Sequence, residues 1–481
     1  MPFNPRGCAM PGLPERLRAY LRELPRGALA LLVLELERAF ARGDQFPGGE
    51  VLLEEVRGAL RESGQPASRA GDPTRIFFGA LEPFLINDDP AHKRPGRIAR
   101  AVLSPMWSWI CRDLVPAEAK TYNAEAARAA ADPATYEQLA RGFRDCVVAK
   151  MEQVLAGAKT DERARRRLIG QIGTQNAFDD ARGLLTIFSA ADIFAQIEKS
   201  LPAHIRNLAD AQLDNVKSLL DQTVGSRPDV LPYALVLTMG RLAGPWQLIR
   251  LGVKAAETDD AIRIAGSPYA AAVTIVLSEI EQAVGALKTD LKRGATAAAP
   301  TLIKTIHDCA RGLRTELDLS GDSPWARRLV AIRADVSKVL KNQVESASGK
   351  VRRLLRLRPL SEVPRNSALD PDDVSEAEAA VELVGVCRLY ASELAINEMT
   401  MRTFSELQHS LETGTQSLLD SLRHAGEGER RFIQSQVDAA VGFCVKVFGP
   451  DYASVLAKAA EVAANAANQR EVERKAIGAK A

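Results

Sequence analysis

Residues 323–358 read SPWARRLVAIRADVSKVLKNQVESASGKVRRLLRLR. Ser323 followed by Pro324 is a helix start. The hydroxyl can accept an orphaned backbone N–H, and Pro loses nothing at a first position whose N–H has no intrahelical partner. From there Leu329, Ile332, Val336, Val339/Leu340, Val344, Ala347, Val351 and Leu354 recur at three- and four-residue steps. That spacing keeps apolar side chains on one face of a helix. It predicts a long amphipathic helix over about 324–357, a rod of ~50 Å at the α-helical rise. Residues 371–424 read the same way, with Phe404, Leu407, Leu411, Leu418 and Leu422 in heptad spacing and Gly414 interrupting one layer. Unbroken, this second helix would be ~80 Å long. The segment between them, 359–369, holds Pro359 and Pro364, and predicts an antiparallel hairpin packed against further helices.

The rest of the chain repeats these signals. Asp132-Pro133, Ser267-Pro268 and Asp370-Pro371 are further cap-plus-proline starts, and Ala, Leu, Arg and Glu, all strong helix formers, dominate. Period-two runs of β-branched residues are almost absent. The expectation is an all-α fold of elongated multi-helix bundles. Residues 1–70 read as short helices broken near Pro25 and at Phe46-Pro47-Gly48-Gly49, with a small-residue linker at 64–71. Residues 71–160 form an aromatic-rich subdomain whose loop at 87–97 should be solvated. Between Pro116 and Pro228 the pattern is near-continuous helix, with one stripe expected from Ile205 and Leu208 through Leu213, Val216, Leu220 and Thr223. A central basic bundle at 161–360 and an acidic bundle at 361–481 follow, the latter expected to fray after Ala464. No period of 20 to 50 residues suggests a solenoid.

Composition bounds the function. The 481 residues are 46% hydrophobic and 26% charged, with 33 Gly and 25 Pro, which excludes a disordered or low-complexity chain. At roughly 150 residues per domain the length suggests two to four domains. With 63 basic and 61 acidic side chains the net charge is +2, so no whole-molecule attraction to nucleic acid is expected. Charge is uneven along the chain, however. Residues 161–360 carry 29 basic and 22 acidic side chains, and residues 361–481 carry 12 and 19. Opposite nets of that kind can guide one segment onto the other.

Six cysteines, at 8, 111, 146, 309, 387 and 444, show no Cys-x-x-Cys pairing, which disfavours zinc and redox motifs and points to free thiols in a reducing cytosol. The N-terminal residues lack the apolar run of a signal peptide. The longest apolar windows, 29–36, 230–239 and 264–277, are shorter than the ~18 residues of a bilayer-spanning helix. A cytoplasmic protein is expected, able to lie against the inner face of the membrane.

Familiar chemistries do not surface. No phosphate loop, dinucleotide fingerprint or Gly-x-Ser-x-Gly elbow occurs. Of the five histidines no two stand three or four residues apart. His307-Asp308-Cys309 is the one cluster, and because adjacent helical positions diverge, the three are not expected to face one site together. Neither a cofactor nor a metal is expected. Two candidate sites remain. Lys350, Arg352, Arg353, Arg356 and Arg358 put five cations on one helix end, able to dock on an anionic surface or to complement the helix dipole. Phe77, Phe78, Phe84, Arg97, Trp107 and Trp109 could line a pocket for an anionic ligand, or form the core of a small subdomain. The function expected is that of a scaffold, tether or adaptor joining protein partners, with self-association as one form. Docking on anionic lipid through 350–358 is the alternative, and a helical enzyme with a pocket in 73–115 the third.

Overall fold

A computed structural model describes residues 26–41, 72–87, 94–129, 133–294, 298–320, 322–357 and 367–478, with residue 296 and scattered positions between 21 and 57. The chain is all-α. Among the described residues the only strands are β1 (Leu85–Ile86) and β2 (Ile98–Ala99), which pair in parallel. Its contacts divide it into two compact units, Met1–Ala243 and Gly244–Ala481.

In the first unit, helix α1 (Arg26–Ala41) buries Leu29, Val33 and Leu36 against Leu21, Leu53 and Val56. The expected linker at 64–71 and the loop positions 88–93 lie outside the described residues. Asp72 caps α2 (Pro73–Phe77) by accepting the Thr74 N–H at 3.0 Å. A 3₁₀ turn, the β1–β2 pair and α3 (Leu103–Trp109) follow, then a π-turn over 110–114. The end of the 87–97 loop is not solvated. Gly96 is buried at φ +68°, where a Cβ would lie 2.4 Å from the Pro232 carbonyl oxygen. Only glycine fits both the backbone angle and the close approach.

Helices α4 (Pro116–Ala129), α5 (Pro133–Thr160), α6 (Glu162–Ile172), α7 (Gln175–Ser189), α8 (Ala191–Ser200), α9 (Asp210–Val224) and α10 (Leu231–Arg241) complete this unit. Along α5 the buried positions Tyr136, Ala140, Phe143, Val147, Met151 and Leu155 trace one face. The stripe expected from Ile205 onward is shorter than its spacing suggested. Ile205 and Leu208 are buried in extended chain before α9, and Ile205 exchanges backbone hydrogen bonds with Arg241 and Ala243. Pro202 lies in the break, where its ring and missing N–H oppose continued helix.

The second unit holds α11 (Ile249–Ala256), α12 (Ala261–Ala265), α13 (Ala270–Lys292), α14 (Ala299–Glu316), α15 (Pro324–Leu355), α16 (Pro371–Leu394), α17 (Asn397–His424), α18 (Glu427–Phe448) and α19 (Pro450–Gly478). Helix α15 is unbroken as its stripe predicts, and Ser323 Oγ accepts the Trp325 N–H at its start. The second expected rod is two helices. Ala395 is left-handed, with φ 56°, and separates α16 from α17. Side-chain bonds give the directions. Lys350 meets Glu376 while Arg333 reaches the Glu393 carbonyl, so α15 and α16 are antiparallel. Arg402 meets Glu345 and Glu406 meets Ser348, so α17 runs parallel to α15. Gly414 leaves a gap in the α17 stripe that Thr415 fills; its buried hydroxyl donates to the Leu411 carbonyl at 2.8 Å.

Helix α13 corrects a further expectation. By length and composition it is long and apolar enough to cross a membrane, with 56% of its most apolar 18 residues buried in the protein. Reading uninterrupted apolar runs missed it because Glu279 and Glu281 fall inside. The last helix also continues to Gly478, beyond the fraying point expected after Ala464.

Candidate functional site

The basic cluster sits at the C-terminal end of α15, where the unpaired carbonyls favour cations. Lys350 Nζ is 2.8 Å from Glu376 Oε1, and Arg353 Nη2 is 3.5 Å from Asp373 Oδ1. Lys350 holds the Glu376 carboxyl below its usual range by hydrogen bonding and charge. Both acids lie in the first turns of α16, so the antiparallel pair brings the positive end of one helix against acids at the start of the next. Arg352 folds back on Ser348, its Nη2 donating to Oγ at 3.3 Å. Arg356 is exposed, and its carbonyl accepts from Gln436 Nε2 at 3.1 Å. Arg358 lies outside the described residues. Other bonds join the basic middle of the chain to its acidic end, notably Arg314 to both oxygens of Glu393 at 2.9 Å.

The aromatic candidates fall into two buried clusters. Phe77 touches Phe78, Trp107, Phe143 and Phe188, with ring centroids 4.9 to 5.3 Å apart. Phe84 packs on Phe194 and edge-on to Tyr233. Phe77, Phe84 and Trp109 are each at most 1% exposed, which makes them packing groups. Trp107 is half-buried, and Arg97 donates to the Pro83 carbonyl at 3.0 Å. Beside this core, a groove between α4 and α5 is floored by the stacked rings of Tyr122 and Phe143, 4.6 Å apart, and edged by Glu118 and Glu125.

His307 and Asp308 meet, while Cys309 turns away from both. Nδ1 lies 2.9 Å from Oδ1, and Lys304 Nζ lies 2.7 Å from Oδ2 of the same carboxylate. A flexible χ1 on each side chain closes the angle that backbone geometry opens. Cys309 points into the core instead and is fully buried. Burial pushes its thiol up, and pushes those of Cys387 and Cys444 up to about 12. Among the described residues no three His, Cys, Asp or Glu side chains converge as metal ligands.

One surface escaped the sequence reading. Helix α19 carries two adjacent apolar stripes. Ala453, Leu456, Ala460, Ala463 and Ala467 are buried against α18 and α17. Tyr452, Val455, Ala459, Val462 and Ala466 form the second stripe at the same three- and four-residue steps, and it faces outward. Val455 is 69% exposed and Val462 65%. The turn into this helix depends on Gly449, at φ +95°. Phe448 before it packs on Tyr452, with centroids 4.5 Å apart. The abundance of alanine concealed the outer stripe, because two neighbouring heptads of small residues blur into a segment of high helix propensity.

The chain matches no known protein family, and no curated protein or solved structure resembles it significantly.

Proposed function

We propose that this protein is a helical scaffold that associates through the outward face of α19, with a second copy of itself as the first partner. The observation that carries this is the heptad spacing of Tyr452, Val455, Ala459, Val462 and Ala466, of which Tyr452, Val455 and Val462 are exposed and the two alanines half-buried. Heptads of small and β-branched residues allow two helices to approach closely. A stripe on one helix is also self-complementary about a two-fold axis. Asp451 and Lys458 border the stripe on one edge and are both exposed. In an antiparallel pair each would meet the other across the axis, adding orientation to the apolar contact.

Sedimentation equilibrium of the full chain across a dilution series tests the reading. The expected result is reversible association above the 52.1 kDa monomer mass, abolished by Val455→Glu with Val462→Glu while the circular dichroism spectrum is retained. A monomer at every concentration, or association unaffected by the double substitution, refutes it.

A further inference from the structure

The same period that builds α13 and α15 also places a slot between them. Val284, Gly285, Lys288 and Lys292 follow one another along α13, and Ile332, Asp335, Lys338 and Val339 along α15. The slot has a volume of about 450 Å³, within the range of small-molecule sites. Its floor is apolar, made of Val284, Ile332 and Val339. Val339 belongs to the long stripe of α15, yet it is only half-buried where its neighbour Leu340 is fully buried. Gly285 deepens the wall of α13, since a Cβ there would have nothing within 4 Å.

Charge around the opening is one-sided. Lys288 and Lys292 stand one turn apart on one wall and Lys338 on the other, all exposed. None of the three makes an ion pair among the described residues. Of the two carboxylates in the lining, Glu281 is held by Arg328 through bonds of 2.6 and 2.7 Å, which leaves Asp335 as the one opposing charge. An apolar trough with excess lysine at its rim matches a molecule that is apolar along its length and anionic at one end.

We propose that this slot binds a monomeric long-chain carboxylate, with the alkyl chain along Val284, Ile332 and Val339 and the head group among Lys288, Lys292 and Lys338. The proposal stands apart from self-association through α19.

Calorimetric titration of the full chain with sodium dodecanoate, below its micelle concentration, tests it. The expected result is saturable binding of one dodecanoate per chain, at least about tenfold tighter than dodecyltrimethylammonium, which has the same tail and the opposite charge. Lys288→Glu with Lys292→Glu should weaken dodecanoate binding by about tenfold or more. Gly285→Leu, which fills the slot from a position with free space, should do the same without lowering the melting temperature. Absence of saturable binding overturns the proposal, as does equal affinity for the two head groups or wild-type affinity in either variant. Capture of the chain by phosphatidylglycerol vesicles without binding of free dodecanoate also overturns it, and assigns the lysines to a membrane surface.

Discussion

Arg333 Nε donates to the main-chain carbonyl of Glu393 at 2.9 Å, and its Nη2 to that of Ser392 at 3.1 Å. These carbonyls belong to the last turn of α16, where helix geometry leaves acceptors without intrahelical donors. Arg314 holds the side chain of the same Glu393 from α14. Two arginines from two other helices thus meet the point at which α16 stops, and Ala395 turns left-handed just beyond it.

That arrangement predicts two substitutions of opposite sign. Ala395→Gly should raise stability by about 1 kcal/mol, because the left-handed backbone costs a residue bearing a Cβ roughly that much. Arg333→Met keeps the packing of the stem but removes one donor from a half-buried carbonyl and one from an exposed carbonyl, and should lower stability by about 1 kcal/mol. Denaturant melts of the full chain give both values. A destabilised Ala395→Gly would mean that the break is not where the left-handed residue places it.

Two glycines provide a second contrast. Gly96→Ala should be destabilising by about 2 kcal/mol or more, since it combines an unfavourable positive φ with a Cβ driven against the Pro232 carbonyl. Gly349 lies inside α15 with nothing within 4 Å of an added Cβ. Gly349→Ala should therefore stabilise by up to about 1 kcal/mol. Thermal unfolding of the two variants beside the parent checks the pair.

The bonds of α15 to the start of α16 are exposed at Arg353 and half-buried at Lys350, and should be worth little. Asp373→Asn with Glu376→Gln is expected to cost about 1 kcal/mol or less at low salt. The difference should vanish in molar salt, where the screening length falls to about 3 Å. A larger, salt-insensitive loss would show that these acids act through something other than the Lys350 and Arg353 pairs.

Legibility in the sequence followed the range of the forces involved. Leu329 through Leu354 announced α15 because a periodic stripe is a local property, and the cap at Ser323 is local as well. The break at Ala395 carries no glycine or proline, and the arginines that meet it, Arg314 and Arg333, come from far away in the chain. The pairing of Lys350 with Glu376 was foreshadowed only as a difference of net charge between segments; choosing those two residues required the antiparallel register of α15 and α16. The outer stripe of α19 was present in the letters, but alanine serves helix propensity and helix contact alike. Spacing alone could not say which of two neighbouring stripes the chain itself covers.

The buried thiols give a pH dependence whose sign is fixed by burial. Desolvation holds Cys387 and Cys444 protonated up to about 12 in the folded chain, against an ordinary value of 9.0. A group whose folded value lies above its unfolded one contributes stability that is complete below the unfolded value and is lost as pH rises toward the folded one. Stability should therefore decline between about pH 9 and pH 12, as the unfolded state ionises thiols that the folded state keeps neutral. The double variant Cys387→Ala with Cys444→Ala should make this decline shallower, leaving the part due to the buried Cys309, whatever its effect at neutral pH. The same burial leaves almost no thiolate at pH 8. A disulfide-exchange reagent should accordingly label these two cysteines only after denaturation, and rapid labelling of either in the folded chain would contradict their place in the core.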